Sequence, residues 1–216
     1  MQKIGIISDV HAYPVALNEA LSIFKREKVT DILCAGDIAG YYDGLNESIE
    51  LLQQYRCKTI IGNHDQSYLE QYSDSVENVD YTFLTSLPES MEFNIEDKSL
   101  FMVHAQPPNA QHGGIKLLDQ QGEIISSSFA NWDKVLQDFE YDILVVGHTH
   151  QVFAEYLGGV LVINPGSVPF NHSCMILNLP SLEVETYALE NKSIVKCWNF
   201  SHLFSSNQGY PKPQRP

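Results

Sequence analysis

The sequence has little positive charge. Lys and Arg together number 13 against 27 Asp and Glu, which leaves a formal net charge of −14, and only three residues are arginines. A protein that grips a nucleic-acid polymer needs a basic surface, because contacts to phosphate dominate that affinity. We therefore expect no nucleic-acid partner. If the ligand is anionic, bound metal ions must supply the positive charge that Lys and Arg do not.

Long apolar runs are also missing. No stretch of the 216 residues approaches the ~20 apolar residues of a membrane span, so we expect no membrane partner. The N-terminus enters a short apolar strand that meets Asp9, which is unlike a secretory signal. The four cysteines form no CxxC pair, and Cys34 and Cys174 lie in apolar runs, which predicts buried free thiols. We predict a cytoplasmic protein. The sequence does not predict its oligomeric state.

The first half of the chain predicts alternating strands and helices. Strands are expected at 3–8, 31–35 and 58–61, with one helix after Pro14 and another at about 44–54. This βαβαβ order favours a parallel sheet covered by helices.

The second half is richer in predicted strands. They are expected at 99–103, 142–146, 152–157, 160–163, 173–179 and 182–188. One helix is predicted near 130–139, and residues 105–128 form either a mobile flap or a plain surface loop. We predict an α/β fold, a four-layer αββα sandwich of two mixed β-sheets flanked by helices. It forms a single domain over residues 1–204, followed by an extended or disordered tail over 205–216.

Five polar clusters each follow a predicted strand directly. They are Asp9-Val10-His11, Gly36-Asp37, Gly62-Asn63-His64-Asp65, His104 and Gly147-His148-Thr149-His150. In open α/β sheets ligands bind beyond the carboxyl ends of the strands, so we expect the clusters to converge. In extended backbone the i, i+2 spacing of Asp9 and His11 puts both side chains on one side, as for the pair at 148 and 150. The glycines at 36, 62 and 147 are expected where the chain passes close to the ligands.

Seven side chains in these clusters could hold metal. Imidazole nitrogens mixed with carboxylate and amide oxygens, without thiolate, suit Mn, Fe, Zn, Ni or Co better than Ca or Mg, and Mn is our first expectation. Seven ligands are too many for one tetrahedral zinc and about right for two ions that share a carboxylate. The candidate ligands are Asp9, His11, Asp37, Asn63, His104, His148 and His150.

Each motif alone has a simpler explanation. Asp37 could cap a helix, His104 could be a satisfied core histidine, and His148 and His150 could flank a turn. Their joint position after five strands disfavours these explanations.

In order along the chain, the motifs resemble a known family. Asp9-x-His11, Gly36-Asp37-x-x-Gly40, Gly62-Asn63-His64-Asp65, His104 and Gly147-His148-x-His150 are similar to the calcineurin-like metallophosphoesterase superfamily, and most similar to its small phosphodiesterase/phosphatase branch. The resemblance covers residues 3–179, including the segment 164–168. It implies a hydrolase that cleaves a small phosphodiester or phosphomonoester, nucleotide-derived esters included, with a metal-activated hydroxide.

The resemblance also implies roles for individual residues. The first ion would be held by Asp9, His11, Asp37 and His150. The second ion would be held by Asp37, Asn63, His104 and His148, with Asp37 as the bridge. His64 would lie near the ions without binding them and would protonate the leaving group or contact the phosphoryl oxygens. Asp65 would orient the His64 ring.

Two further residues are candidates for substrate binding. Many members of this branch have an arginine where this sequence has His172, which would be a weaker phosphate contact or else an exposed loop histidine. Tyr41 could stack on a nucleobase or simply pack.

Two other functions remain open. One is a non-catalytic scaffold with the same fold, although such members tend to lose metal ligands that this sequence retains. The other is a protein serine/threonine phosphatase, which the missing phosphate-gripping arginines disfavour.

Overall fold

The computed structural model describes residues 2–73 and 79–199, so the predicted tail at 205–216 lies outside the described residues. Within them the chain forms ten strands and six helices. The strands are β1 (Gln2–Ile7), β2 (Asp31–Cys34), β3 (Lys58–Thr59), β4 (Ser90–Ile95), β5 (Lys98–Val103), β6 (Ile143–Val145), β7 (Val152–Leu157), β8 (Val160–Pro165), β9 (Ser173–Leu179) and β10 (Glu183–Ala188). The helices are α1 (Pro14–Arg26), α2 (Leu45–Gln54), α3 (Asn63–Gln71), α4 (Val79–Thr85), α5 (Ser126–Val135) and α6 (Val168–Asn171).

The strands form two mixed sheets of five strands each. The first has the order β10-β9-β1-β2-β3, with β1, β2 and β3 parallel, as the βαβαβ pattern predicts. The strands β9 and β10 extend this sheet in antiparallel fashion. The second sheet has the order β4-β5-β6-β8-β7, with β5, β6 and β8 parallel and the two edge strands antiparallel.

The two sheets pack face to face and carry helices on their outer faces. Ile6 and Leu33 of the first sheet share a buried core with Met102 and Val145 of the second. On the outer face of the first sheet α1 buries Leu17, Leu21 and Phe24, a spacing that places them on one side of the helix. Burial of each such side chain contributes roughly 1.5–3 kcal/mol. The outer face of the second sheet is covered by α5 and the loop before it. The predicted four-layer αββα sandwich is confirmed.

Some local features differ from the sequence-based prediction. No element was predicted for α3, α4, α6 or β4, which are all short, and α3 is also largely polar. The helix predicted near 130–139 lies at Ser126–Val135. In the loop 105–128, Leu117 and Leu118 are buried and their backbone amides donate to Gln151 Oε1, so this part is anchored to the core.

The cysteines behave as predicted, since Cys34 and Cys174 are buried with free thiols. In the described ranges 2–73 and 79–199, no helix is long and apolar enough to cross a membrane.

Candidate metal centre

The five polar clusters converge at the carboxyl ends of β1, β2, β3, β5 and β6. Backbone hydrogen bonds connect their loops: Asp9 N donates to Gly36 O at 3.0 Å, His11 N to Asp37 O at 2.9 Å, and Gly147 N to His104 O at 2.8 Å. The expected convergence beyond the strand ends is therefore present.

One group of possible ligand atoms combines the first and last clusters. The side-chain ligand atoms of Asp9, His11 and His150 lie within 4.8 Å of one another. The two Nε2 atoms of His11 and His150 are 3.0 Å apart, and His150 Nε2 is 3.3 Å from Asp9 Oδ1. All three residues are buried.

A second group combines Asp37, His104 and His148, whose ligand atoms also lie within 4.8 Å of one another. Asn63 belongs to it as well, because its Oδ1 is 3.0 Å from His104 Nε2 and 2.8 Å from His148 Nδ1. Asp37 connects the two groups, since it forms a third cluster with His11 and His64 within the same limit. The structure thus brings the seven predicted ligands together at one site, and their division between two ions stays a prediction.

The orientation of the His104 ring fits a cation. Its Nδ1 is 2.7 Å from the carbonyl oxygen of Ala35, and because a carbonyl only accepts, Nδ1 carries a hydrogen. In the neutral ring Nε2 therefore presents a lone pair toward Asp37 Oδ1 at 3.4 Å and toward the Asn63 oxygen. A positive ion between these atoms would satisfy all of them, and the backbone carbonyl fixes the orientation of the ring, as is usual for metal-binding histidines.

The electrostatics of the site also favour positive charge. Burial opposes the charged form of His104, but the carboxylates of Asp37 and Asp9 outweigh it and raise its pKa to about 9. Burial would raise the pKa of Asp37, yet the charges of His104 and His11 lower it to about 2. Burial lowers the pKa of His11 to about 3 and that of His148 to about 4, so both rings are neutral at pH 7. Neutral imidazoles and ionised carboxylates are the forms that bind metal.

The backbone at the ligands differs from the extended conformation assumed from the i, i+2 spacing. The φ angles are 53° and 50° at Asp9 and His11, 64° and 48° at His148 and His150, and 54° at Asp37. The assumption was wrong, because these residues occupy the left-handed region that non-glycine residues rarely adopt. Such strained residues concentrate at functional sites, where surrounding structure holds them in place.

The three glycines of the clusters lie where the backbone passes close to the ligands, as predicted. A Cβ on Gly36 would lie 2.7 Å from His104 Nδ1, and one on Gly147 would lie 2.7 Å from Asp9 Oδ2. A Cβ on Gly62 would collide with Asp37 Oδ1.

The carboxylate of Asp65 accepts from two backbone amides, and its orienting role toward His64 stays a prediction. One carboxylate oxygen of Asp65 accepts from Ala39 N at 2.7 Å and the other from Gly62 N at 2.8 Å. Asp65 thereby joins the loop after β2 to the start of α3. Its buried position, followed by the charge of Asp37, raises its pKa to about 8.

His64 and Tyr41 lie beside the first group of ligands. The His64 ring centroid is 4.9 Å from that of His11, and its backbone N donates to Asp37 Oδ1 at 2.8 Å. The Tyr41 ring lies 4.7 Å from His11 and 4.8 Å from His64. Both residues line a cavity of about 550 Å³.

His172 is buried rather than exposed, with 8% of its surface accessible. Its Nδ1 lies 3.3 Å from the carbonyl oxygen of Ser193, and burial lowers its pKa. The contact of His172 with substrate stays a prediction.

Sequence reasoning missed three buried residues that hold the ligand loops. Asn164 Nδ2 donates to Gly147 O at 2.9 Å, and Ser167 Oγ donates to Asp9 O at 2.7 Å. Asn171 Nδ2 donates to His150 O at 2.9 Å and also to Val195 O. The predicted motif at 164–168 contains two of them, but their partners are distant in sequence and no local pattern reveals them.

An aromatic stack supports the His150 side of the site. The rings of Phe170 and Trp198 are 4.1 Å apart with an interplanar angle of 15°, and the His150 ring stacks on Phe170 at 5.5 Å. Trp198 N also donates to His150 O at 3.0 Å. The segment that carries Trp198 therefore packs directly against a candidate ligand.

The fold and the site together define a metal-dependent phosphoesterase. Residues 2–179 match the calcineurin-like phosphoesterase superfamily domain, and the chain belongs to this family. It is a metallophosphoesterase, a phosphoric ester hydrolase, and its Asp/His cluster indicates divalent metal binding. The family resemblance of the sequence motifs is thereby confirmed.

Similar proteins include two from an archaeon. The protein MJ0912 of Methanocaldococcus jannaschii, described as uncharacterized, is 31% identical over 182 residues, which are 76% of this chain and 69% of that protein. The phosphodiesterase MJ0936 of the same organism is 26% identical over 168 residues, or 76% of this chain and 82% of that protein. The crystal structure of the hypothetical protein PH1004 from Pyrococcus horikoshii OT3 is similar with a TM-score of 0.73 at 19% identity, covering 88% of both chains, and supports the fold.

Proposed function

We propose that the chain is a binuclear metal-dependent phosphoesterase that hydrolyses a small phosphodiester or phosphomonoester. The observation that carries this proposal is the pair of ligand groups, Asp9/His11/His150 and Asp37/His104/His148, with Asp37 close to both. The first ion would be held by Asp9, His11, Asp37 and His150, and the second by Asp37, Asn63, His104 and His148. Mn is the first candidate, with Fe, Zn, Ni and Co as alternatives.

Two ions bound in this way would lower the pKa of an attacking water and neutralise charge on the phosphoryl oxygens. The protein residues keep the ligands in position. The backbone N of His148 donates to both carboxylate oxygens of Asp9, and the backbone N of His64 donates to Asp37. These bonds fix the two carboxylates before any ion arrives, which lowers the cost of ordering the site.

His64 is proposed as the general acid. Its ring faces the cavity beside His11 and is partly exposed, so a substrate can reach it. From this position it would protonate the leaving oxygen or donate a hydrogen bond to a phosphoryl oxygen, a contribution of about 10²–10⁴-fold. Asp65 would contribute indirectly by fixing the start of α3.

The net charge and the cysteines of the chain favour a small substrate and a reducing compartment. A net charge of −14 disfavours a nucleic-acid polymer, and the four free cysteines support a cytoplasmic location. Inside such an acidic protein, the ions would supply the positive charge that attracts phosphate.

A chromogenic assay tests the proposal. Protein stripped of metal should not hydrolyse bis-p-nitrophenyl phosphate or p-nitrophenyl phosphate, and added Mn²⁺ should restore turnover of at least one. Asp138→Asn, an exposed change outside the site, serves as the matched control and should behave as the wild type. Bound metal without turnover for any of the five candidate ions would favour the scaffold function instead.

A further inference from the structure

The cavity beside His64 is lined by tyrosines. Its wall includes Tyr41, Tyr42, Tyr68 and Tyr72, and its volume of about 550 Å³ lies within the range of small-molecule sites. The rings of Tyr68 and Tyr72 are 4.6 Å apart, and the Tyr41 ring lies 4.8 Å from that of His64 and 4.7 Å from that of the candidate ligand His11. A phosphoester held at the metals would therefore direct one of its substituents into this cavity.

The charges around the cavity are negative. Asp43 and Asp80 line it, and among the described lining residues there is no lysine or arginine. Two further acids of α2, Glu47 and Glu50, lie close enough to Asp80 to contribute, after burial, to raising its pKa. A substituent that carries additional phosphate would meet the like charges of Asp43 and Asp80 there, which is unfavourable.

Tyrosine faces and carboxylates together attract an organic cation. The negative face of an aromatic ring binds an ammonium or quaternary ammonium group, and cages of several rings recognise such ligands. A neutral alkyl group of the same shape would gain only the apolar contact.

We propose that this tyrosine cavity binds an ester substituent with a positively charged nitrogen, so that the preferred substrate is a phosphoester of an amino or quaternary ammonium alcohol. The inference rests on the proposed phosphoesterase function, because the metals hold the phosphate while the cavity selects the substituent. Tyr68 and Asp43 are its specificity-determining residues: one supplies a ring face, and the other an exposed carboxylate at the rim.

The test compares two substrates that differ only in charge. With Mn²⁺-loaded full-length protein, kcat/KM for p-nitrophenyl phosphorylcholine should exceed that for its carbon isostere, 3,3-dimethylbutyl p-nitrophenyl phosphate, by about tenfold. Tyr68→Leu should bring the ratio close to one, Tyr68→Phe should keep it because the ring remains, and Asp43→Asn should lower it about twofold to threefold. The control Asp138→Asn should leave the ratio unchanged.

Several outcomes would overturn the inference. Equal kcat/KM for the choline ester and its isostere would exclude cation recognition. A preference for the p-nitrophenyl ester of thymidine 5′-phosphate that Tyr68→Leu abolishes would make the cavity a nucleobase site instead. Either result, with turnover intact, leaves the phosphoesterase function standing.

A binding measurement covers the case in which no ester is hydrolysed. Saturation-transfer NMR should detect choline, but not 3,3-dimethylbutanol, on the full chain, and Tyr68→Leu should remove the signal while Asp138→Asn retains it. Failure of turnover with this pattern present would refute the phosphoesterase function alone, and absence of the choline signal would refute the cavity's role.

Discussion

Replacing Gly62 by alanine tests how closely the loop after β3 must approach Asp37. The backbone of Gly62 is extended (φ −118°, ψ 177°), so alanine adopts it without strain and only the space for the new methyl group matters. That methyl would collide with Asp37 Oδ1 and lie 2.9 Å from its Cγ. We expect the Asp37 carboxylate to be displaced, at an overpacking cost of about 1–3 kcal/mol.

Weaker metal binding should lower the stability further when Mn²⁺ is present. At a Mn²⁺ concentration 100 times the dissociation constant, one ion stabilises the fold by about 2.7 kcal/mol. A 100-fold weaker affinity would leave about 0.4 kcal/mol. Since each kcal/mol corresponds to about 2–4 °C in a chain of 216 residues, the Mn²⁺-induced rise in Tm should shrink by about 5–9 °C per ion.

Thermal unfolding with EDTA and with Mn²⁺ measures this difference, and Gly159→Ala is the control. At Gly159 the φ angle is 89°, so alanine is strained there, but no atom lies within 4 Å of its Cβ. Gly159→Ala should lower Tm equally in both conditions. A full Mn²⁺-induced rise in Gly62→Ala would refute the argument that this glycine makes room for Asp37.

Three further predictions concern the site. His64→Ala should retain metal and lose about 10²–10⁴-fold in kcat, with a smaller loss for p-nitrophenyl esters than for alkyl esters because nitrophenolate needs little protonation; equal losses would contradict a general-acid role. Metal binding at pH 7 should release a proton, because the His104 pKa of about 9 keeps the metal-free ring charged at that pH. The binding enthalpy measured by calorimetry should therefore change with the ionisation enthalpy of the buffer, and an enthalpy that is the same in all buffers would contradict the prediction. Asn171→Ala should destabilise the protein by about 1–3 kcal/mol in urea, since the His150 and Val195 carbonyls lose their donor, whereas exposed Asn131→Ala should have little effect.

The arrangement of the site was predictable because it follows from strand order. Apolar runs predict β1, β2, β5 and β6, and a polar cluster directly after each run lies at one edge of its sheet. Residue types then indicate the chemistry, since imidazole and carboxylate together suit a divalent ion. Fewer elements could be predicted in the segments with weak hydrophobic periodicity. There α3 and β4 form through contacts with the rest of the fold rather than through local periodicity.

The finer geometry depends on contacts that sequence spacing does not reveal. Asp9 and His11, which have positive φ, are both hydrogen-bonded to the loop after β2, as in the bond from His11 N to Asp37 O. Ser167 holds the Asp9 carbonyl from 158 residues away. The carboxylate of Asp65 likewise accepts from Ala39 N, which lies 26 residues away in the sequence.

The central claim is that Asp37 bridges two ions, and a metal count tests it most directly. Protein loaded with Mn²⁺ and freed of excess metal should contain close to two ions per chain. Asp37→Ala should lose both ions, whereas Asn63→Ala should mainly weaken the second. A wild-type count that stays at one ion per chain, with Asp37→Ala binding metal no worse than Asn63→Ala, would contradict the binuclear site.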